Sequence, residues 1–263
     1  MSSAQNPKMP ALFLGHGNPM LTLEDNLYTQ GWQQLGNDLP KPRAILAISA
    51  HWYAPTRRVS TTAHPATIHD FYGFPEQLFQ VEYPASGSPE LAERVLALLG
   101  EDGFEPDAQR GLDHGAWSVL RHLYPDAEIP VIQLSIDQRM SPAEHFRLGQ
   151  KLAPLRDEQI LVLTSGNLVH NLMAYNWQNP QVAPPEWAVA FENWNREQLV
   201  SGTPERLVEY LGSSKMAAWS APTPDHYLPL LYLAALQRPD DHVTFALEGF
   251  DGGSMSMLSV ILD

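Results

Sequence analysis

The chain of 263 residues carries 30 acidic against 16 basic side chains, a net charge of -14, which argues against a nucleic-acid partner because phosphate binding draws on clustered Lys and Arg. It contains no cysteine, so disulfide frameworks, thiolate zinc sites, iron-sulfur clusters and thiol nucleophiles are excluded, and any metal must rest on His, Asp or Glu. The opening residues 1–10 are polar and the longest wholly apolar run is 230–236, short of the ~20 residues that span a bilayer; the expectation is a cytoplasmic protein without a membrane partner.

Taken in chain order, short runs rich in Ile, Val and Leu and bounded by turn residues predict buried strands at 11–14, 44–49, 131–135, 160–164, 243–247 and 258–262. Helical patterns alternate with them at 89–99, 142–155, 185–200, 204–211 and 224–236, each with a proline near its start. In the clearest, Leu91, Val95, Leu98 and Leu99 share one face. This alternation implies an α/β fold, a central and mostly buried sheet flanked by helices. With no repeat, charge block or Gly/Ser linker, a single domain over 1–263 is expected. Residues 64–89 and 175–185, dense in proline and aromatics, resist both patterns and are expected to be packed loops rather than a site.

Ten histidines stand in the chain, and their placement matters more than their number. The run 11–14 leads into Gly15-His16-Gly17, and 44–49 leads into Ala50-His51-Trp52. Sites in open α/β sheets form at the carboxyl ends of strands, so two such ends can offer both imidazoles to one crevice. His170, six residues beyond 160–164, follows the same logic with a longer turn. His226 is expected in the first turn of the apolar 224–236 helix. His114 stands in Asp113-His114-Gly115, where Asp113 would orient the ring or Gly115 would admit a substrate. Taken singly, each is more often a hydrogen-bonded structural residue; several at element ends, in a chain without cysteine, suit an imidazole-rich metal centre. His64, His69, His122, His145 and His242 lack the pattern, although His69, in His69-Asp70-Phe71-Tyr72, could line a pocket. Asp137 reads equally as an acid-base group, a helix cap or a turn residue. Neither a P-loop nor a dinucleotide fingerprint, a nucleophile elbow or a zincin helix is present.

The ordered set Gly15-His16-Gly17-Asn18-Pro19-Met20, Ser49-Ala50-His51-Trp52, Ile68-His69-Asp70-Phe71, Tyr83-Pro84-Ala85, Asp113-His114-Gly115, Gln133-Leu134-Ser135-Ile136, Ser165-Gly166-Asn167 with His170-Asn171, and Pro224-Asp225-His226-Tyr227-Leu228-Pro229 resembles the class III extradiol ring-cleavage dioxygenases, and among them the 4,5-DOPA dioxygenase branch of bacteria and plants. The likeness runs from about residue 9 to 262. It implies one divalent metal ion at the strand ends, with a catechol and O2 as substrates. Carried over by motif, His16 and His51 match the metal-binding histidines, His170 matches a further ligand or the acid-base residue, and His114 matches a histidine beside the metal. Where the wider family has a carboxylate ligand, the branch places His226; Asp225 and Glu24 are the nearby carboxylates.

What the resemblance implies agrees with the chemistry of the residues. A catechol must lose a proton to chelate a metal, which calls for a base titrating near neutrality, and His170 suits that role, with His114 as a second proton carrier. Fe(II) is expected for O2 chemistry. An all-imidazole set also takes Zn(II), which is expected to be found bound but has no redox chemistry. Two alternatives use the same histidines: a zinc hydrolase that activates water, and a metal-binding protein without catalysis. A monomer or small homo-oligomer is expected.

Overall fold

The computed structural model describes residues 8–263, so residues 1–7 of the polar opening lie outside it. Six strands form the central sheet: β1 (Ala11–Gly15), β2 (Ala44–Ser49), β3 (Val131–Gln133), β4 (Ile160–Gly166), β5 (Val243–Leu247) and β6 (Ser259–Leu262). Their order is β3-β2-β4-β1-β6-β5, with the first four parallel and β6 and β5 antiparallel to their neighbours. The carboxyl ends of β2, β4 and β1 therefore lie side by side at one edge.

Alternation along the strands divides the interior in two. Phe13, Leu46, Ile48 and Val162 face one core, built with the helices Pro89–Leu99, Pro142–Leu152, Glu186–Val200 and Leu228–Ala235. Leu12, Leu14, Ile45, Ala47, Leu161 and Leu163 face the other, with Trp32 and Trp117 from the helices Leu27–Asp38 and His114–Leu123. Each fully buried Leu or Phe on these faces contributes roughly 1.5–3 kcal/mol. The sheet is thus covered on both sides, the arrangement that parallel strands require.

Local chemistry explains where the helices begin. Ser88 caps Pro89–Leu99 by accepting from the Leu91 amide, and Ser141 forms a capping box with Glu144 ahead of Pro142–Leu152. That helix stops short of residue 155 because Pro154 opens a 3-10 segment, Ala153–Glu158. The expected helix at 204–211 is instead a 3-10 element, Pro204–Gly212, with non-helical backbone at Glu209. The pattern at 224–236 forms a helix only over Leu228–Ala235; residues 224–227 are turns, so His226 sits before the helix rather than in its first turn.

Besides the single turns Glu76–Phe79 and Ala217–Ser220, two longer helices lie outside the expected patterns. Leu27–Asp38 is mostly polar, and Gly36 lets it approach Leu123, whose carbonyl oxygen would stand 2.0 Å from a Cβ added there. His114–Leu123 is buried at every position except Arg121, so beyond its apolar stripe of Ala116, Val119, Leu120 and Leu123 it also buries His114, Ser118 and His122. Away from the site, the buried Arg156 donates to the carbonyls of Met9, Leu236 and Leu262 and pairs with Asp241, tying together β1, β6 and the helix between. Among the described residues no helix is long and apolar enough to cross a membrane.

Candidate metal centre

Five imidazoles meet at the shared strand ends. His16 follows β1 directly, His51 lies just past β2, His170 lies in the turn beyond β4, His114 opens the helix His114–Leu123, and His226 precedes Leu228–Ala235. The ring of His16 lies 4.9 Å from that of His51, 5.8 Å from His114 and 5.2 Å from His226, measured between centroids. His51 and His114 are 3.7 Å apart, and His170 stacks on His226 at 3.6 Å with the planes 4° from parallel. The ligating atoms of His16, His51 and His114 all fall within 4.8 Å of one another.

The hydrogen bonds at the far side of each ring decide which nitrogen is free. Ser165 Oγ stands 2.9 Å from His16 Nδ1 and donates its own proton to the Gly115 carbonyl, so it accepts from His16 and leaves Nε2 with a lone pair. His114 Nδ1 lies 2.9 Å from Asp70 Oδ1 and His226 Nδ1 bonds Asp225 Oδ2, with the same result for their Nε2 atoms. His51 Nδ1 faces Asp70 Oδ2 at 3.5 Å. The Nε2 atoms of His16 and His51 approach to 3.1 Å. Two ligands of one tetrahedral Zn(II), at about 2.0–2.1 Å each, would stand about 3.3 Å apart. The donor set therefore fits a single cation.

Burial drives the pKa of His16 and His51 well below the ordinary imidazole value, and the neighbouring rings add to the effect. Burial likewise pushes His170 down to about 2. These rings are neutral at pH 7, the form that binds metals or accepts protons. Burial alone would raise Asp70, but the hydrogen bonds and charge of His114 outweigh it and hold the carboxyl below its usual range.

Several expectations need correction. Asp113 does not orient His114; it caps the helix through the Ala116 amide and binds Gln133 and Arg110. Gly115 admits no substrate but the His51 ring, whose Cδ2 would lie 2.8 Å from a Cβ there. His69 bonds the Val81 carbonyl and packs on Trp117, while its neighbour Asp70 enters the centre. The 64–89 loop therefore does supply the site, through a residue that sequence reasoning passed over. Asp137 holds Arg57 and Arg139, and Glu24 is exposed against Asn26. Asp225 lies behind His226 rather than in its place. Ser165 was also overlooked, although its motif was noted, because a serine inside a strand reads as polar filler until its partner is known.

Residues 10–249 match the family model described as the catalytic LigB subunit of aromatic ring-opening dioxygenase. The chain belongs to this dioxygenase family. It is 48% identical over 257 residues to the 4,5-DOPA dioxygenase extradiol of Escherichia coli (strain K12), covering 96% of this chain and 94% of that one. It is 38% identical over 265 residues to the protein of the same name from Beta vulgaris, covering 97% of each. A crystal structure of an uncharacterized Escherichia coli K12 protein superposes with a TM-score of 0.84 at 44% identity, covering 97% of this chain and 100% of the other. As a member of the extradiol ring-cleaving class this dioxygenase is an oxidoreductase, and its family acts with O2 on small aromatic substrates. The fold agrees with the α/β architecture expected from sequence, and the three-imidazole group is consistent with one metal ion.

Proposed function

We propose that the chain is a metal-dependent extradiol dioxygenase that opens the ring of a catechol, with 3,4-dihydroxyphenylalanine (DOPA) as substrate and a seco-DOPA or muconic semialdehyde type product, carried out in the cytoplasm by one catalytic domain over 1–263. The observation that carries this reading is the convergence of five imidazoles at the strand ends, three of them bonded at Nδ1 to oxygen partners, with the ligating atoms of His16, His51 and His114 all within 4.8 Å of one another. The DOPA assignment is supported by the names of the relatives in Escherichia coli and Beta vulgaris.

His16, His51 and His226 would hold the ion, with His170 stacked on His226; His114, whose ligating atom lies within 4.8 Å of those of His16 and His51, is the competing third ligand. A bound Fe(II) supplies the redox chemistry that links the aromatic ring to O2, which Zn(II) lacks. The residues of the chain then handle protons. Burial sets the His170 pKa far below the near-neutral value expected of a base, so His170 would accept a proton from a catechol hydroxyl only as the charge of the diol itself enters the site. The proton taken up by His170 would return, directly or through His114 beside His51, to the O2-derived oxygen as the O–O bond breaks, both oxygen atoms ending in the ring-opened product.

Oxygen uptake tests the reading. After anaerobic loading with Fe(II), L-DOPA and simple catechols should consume O2, with DOPA preferred, while the Zn(II)-loaded protein stays silent. Equal rates from both metals, or no uptake with any catechol, would overturn it; acid release from an ester or amide panel by the Zn(II) form would indicate a hydrolase instead.

A further inference from the structure

We propose that Asp70 is a positioning residue for the metal centre, a single carboxylate that holds both His51 and His114 as Nδ1–H tautomers with their Nε2 atoms turned inward. The inference rests on the metal-centre reading above and assigns a task to a loop residue outside the histidine set.

The geometry is specific. Asp70 Oδ1 accepts from the backbone amide of His114 and from its ring Nδ1, both at 2.9 Å, while Oδ2 faces His51 Nδ1 at 3.5 Å. Oδ1 thus bonds His114 directly, while Oδ2 stands at ion-pair distance from His51, the two rings lying 3.7 Å apart between centroids. The segment is held two residues before the carboxylate, at Ile68. The Ile68 amide donates to the Leu112 carbonyl at 2.7 Å, and the Trp117 indole donates to the Ile68 carbonyl at 2.8 Å. The loop is therefore pinned to the helix that carries His114, and Asp70 moves with that helix.

A carboxylate is the only common side chain of this reach that accepts at both oxygens. An amide in its place would still accept from His114, but its NH2 group would meet the Nδ1–H of His51, two donors facing each other. His51 escapes the conflict by carrying its proton on Nε2, the atom that lies 3.1 Å from His16 Nε2. That tautomer cannot ligate through Nε2. Second-sphere partners of metal-bound histidines typically change metal affinity about 10–100-fold when removed.

The test uses the full chain and its Asp70→Asn variant. Long-range proton–nitrogen NMR of the Zn(II)-loaded proteins should show His51 and His114 as Nδ1–H tautomers in the parent and His51 as Nε2–H in Asp70→Asn. Titration with Zn(II) against a chromogenic chelator should show about a 10–100-fold weaker affinity for the variant, and the visible spectrum of the Co(II) form should change. Nδ1–H tautomers and parent-like Zn(II) affinity in the variant would overturn the proposal while leaving the metal centre intact. If the variant fails to fold, the parent spectrum still decides: an Nε2–H His51 there refutes the assignment. A parent that binds neither Zn(II) nor Co(II) would instead overturn the metal-centre reading itself.

Discussion

Ser165 Oγ lies 2.9 Å from His16 Nδ1 and spends its own proton on the Gly115 carbonyl. One hydroxyl at the carboxyl end of β4 thereby fixes the tautomer of a ligand just past β1 and anchors the first turn of the helix that carries His114. Ser165→Ala removes both bonds. Metal affinity should fall about 10–100-fold, and the stranded Gly115 carbonyl should cost about 1–3 kcal/mol of stability. Chelator competition and urea unfolding of the same preparation measure the two effects separately; parent-like affinity would show that His16 needs no tautomer control.

His170 stacks flat on His226, and its role as base or ligand separates in one variant. His170→Gln keeps a polar side chain that cannot cycle a proton near neutrality. The expected outcome is Fe(II) content near the parent level with turnover reduced about 10²–10⁴-fold. Parallel loss of metal and activity would make it an obligatory ligand, and parent-like turnover would exclude both roles.

The buried His145, bonded at Nδ1 to the Tyr232 hydroxyl, gives a pH signature away from the centre. Burial lowers its pKa from 6.5 to about 4. Between these values the unfolded chain takes up a proton that the folded chain refuses, so its stabilising contribution is complete above pH 6.5 and is lost as pH falls toward 4. The loss amounts to about 3 kcal/mol. Unfolding free energies at a series of pH values should show this slope in the parent and a shallower one in His145→Gln; equal slopes would refute the assignment.

Arg156 and Asp241 are paired with neither side chain exposed. Arg156→Met strands the Asp241 carboxylate, which keeps only Lys8 and the Arg238 amide, and deprives three carbonyls of their donor. A loss of about 3–5 kcal/mol is expected. Adding Asp241→Leu should recover part of it by removing the stranded charge. Calorimetry of the single and double variants checks this, and a single variant as stable as the parent would contradict it.

Much of this molecule was legible before any coordinates. Short runs rich in Ile, Val and Leu mark all six strands in the sequence, the four buried parallel ones and the antiparallel β5 and β6 alike, and for β2 and β5 the boundaries are those observed. The strand-end positions of His16 and His51 followed, because a parallel sheet collects its carboxyl ends on one edge. Only the tertiary structure could decide what stands behind each imidazole. Asp70 comes from an irregular loop 44 residues before His114, and Ser165 reaches His16 across 149 residues. No local pattern encodes such pairings, because they arise from strand order and from how one loop is pinned to one helix. The helix His114–Leu123 does carry a stripe, Ala116, Val119, Leu120 and Leu123, but the burial of its polar His114, Ser118 and His122 is a matter of tertiary packing that no stripe announces. The sequence by itself determined which chemistry the chain carries and at which end of the sheet; packing decided which carboxylate and which hydroxyl face each ring, since a hydrogen bond depends on distance and direction in space.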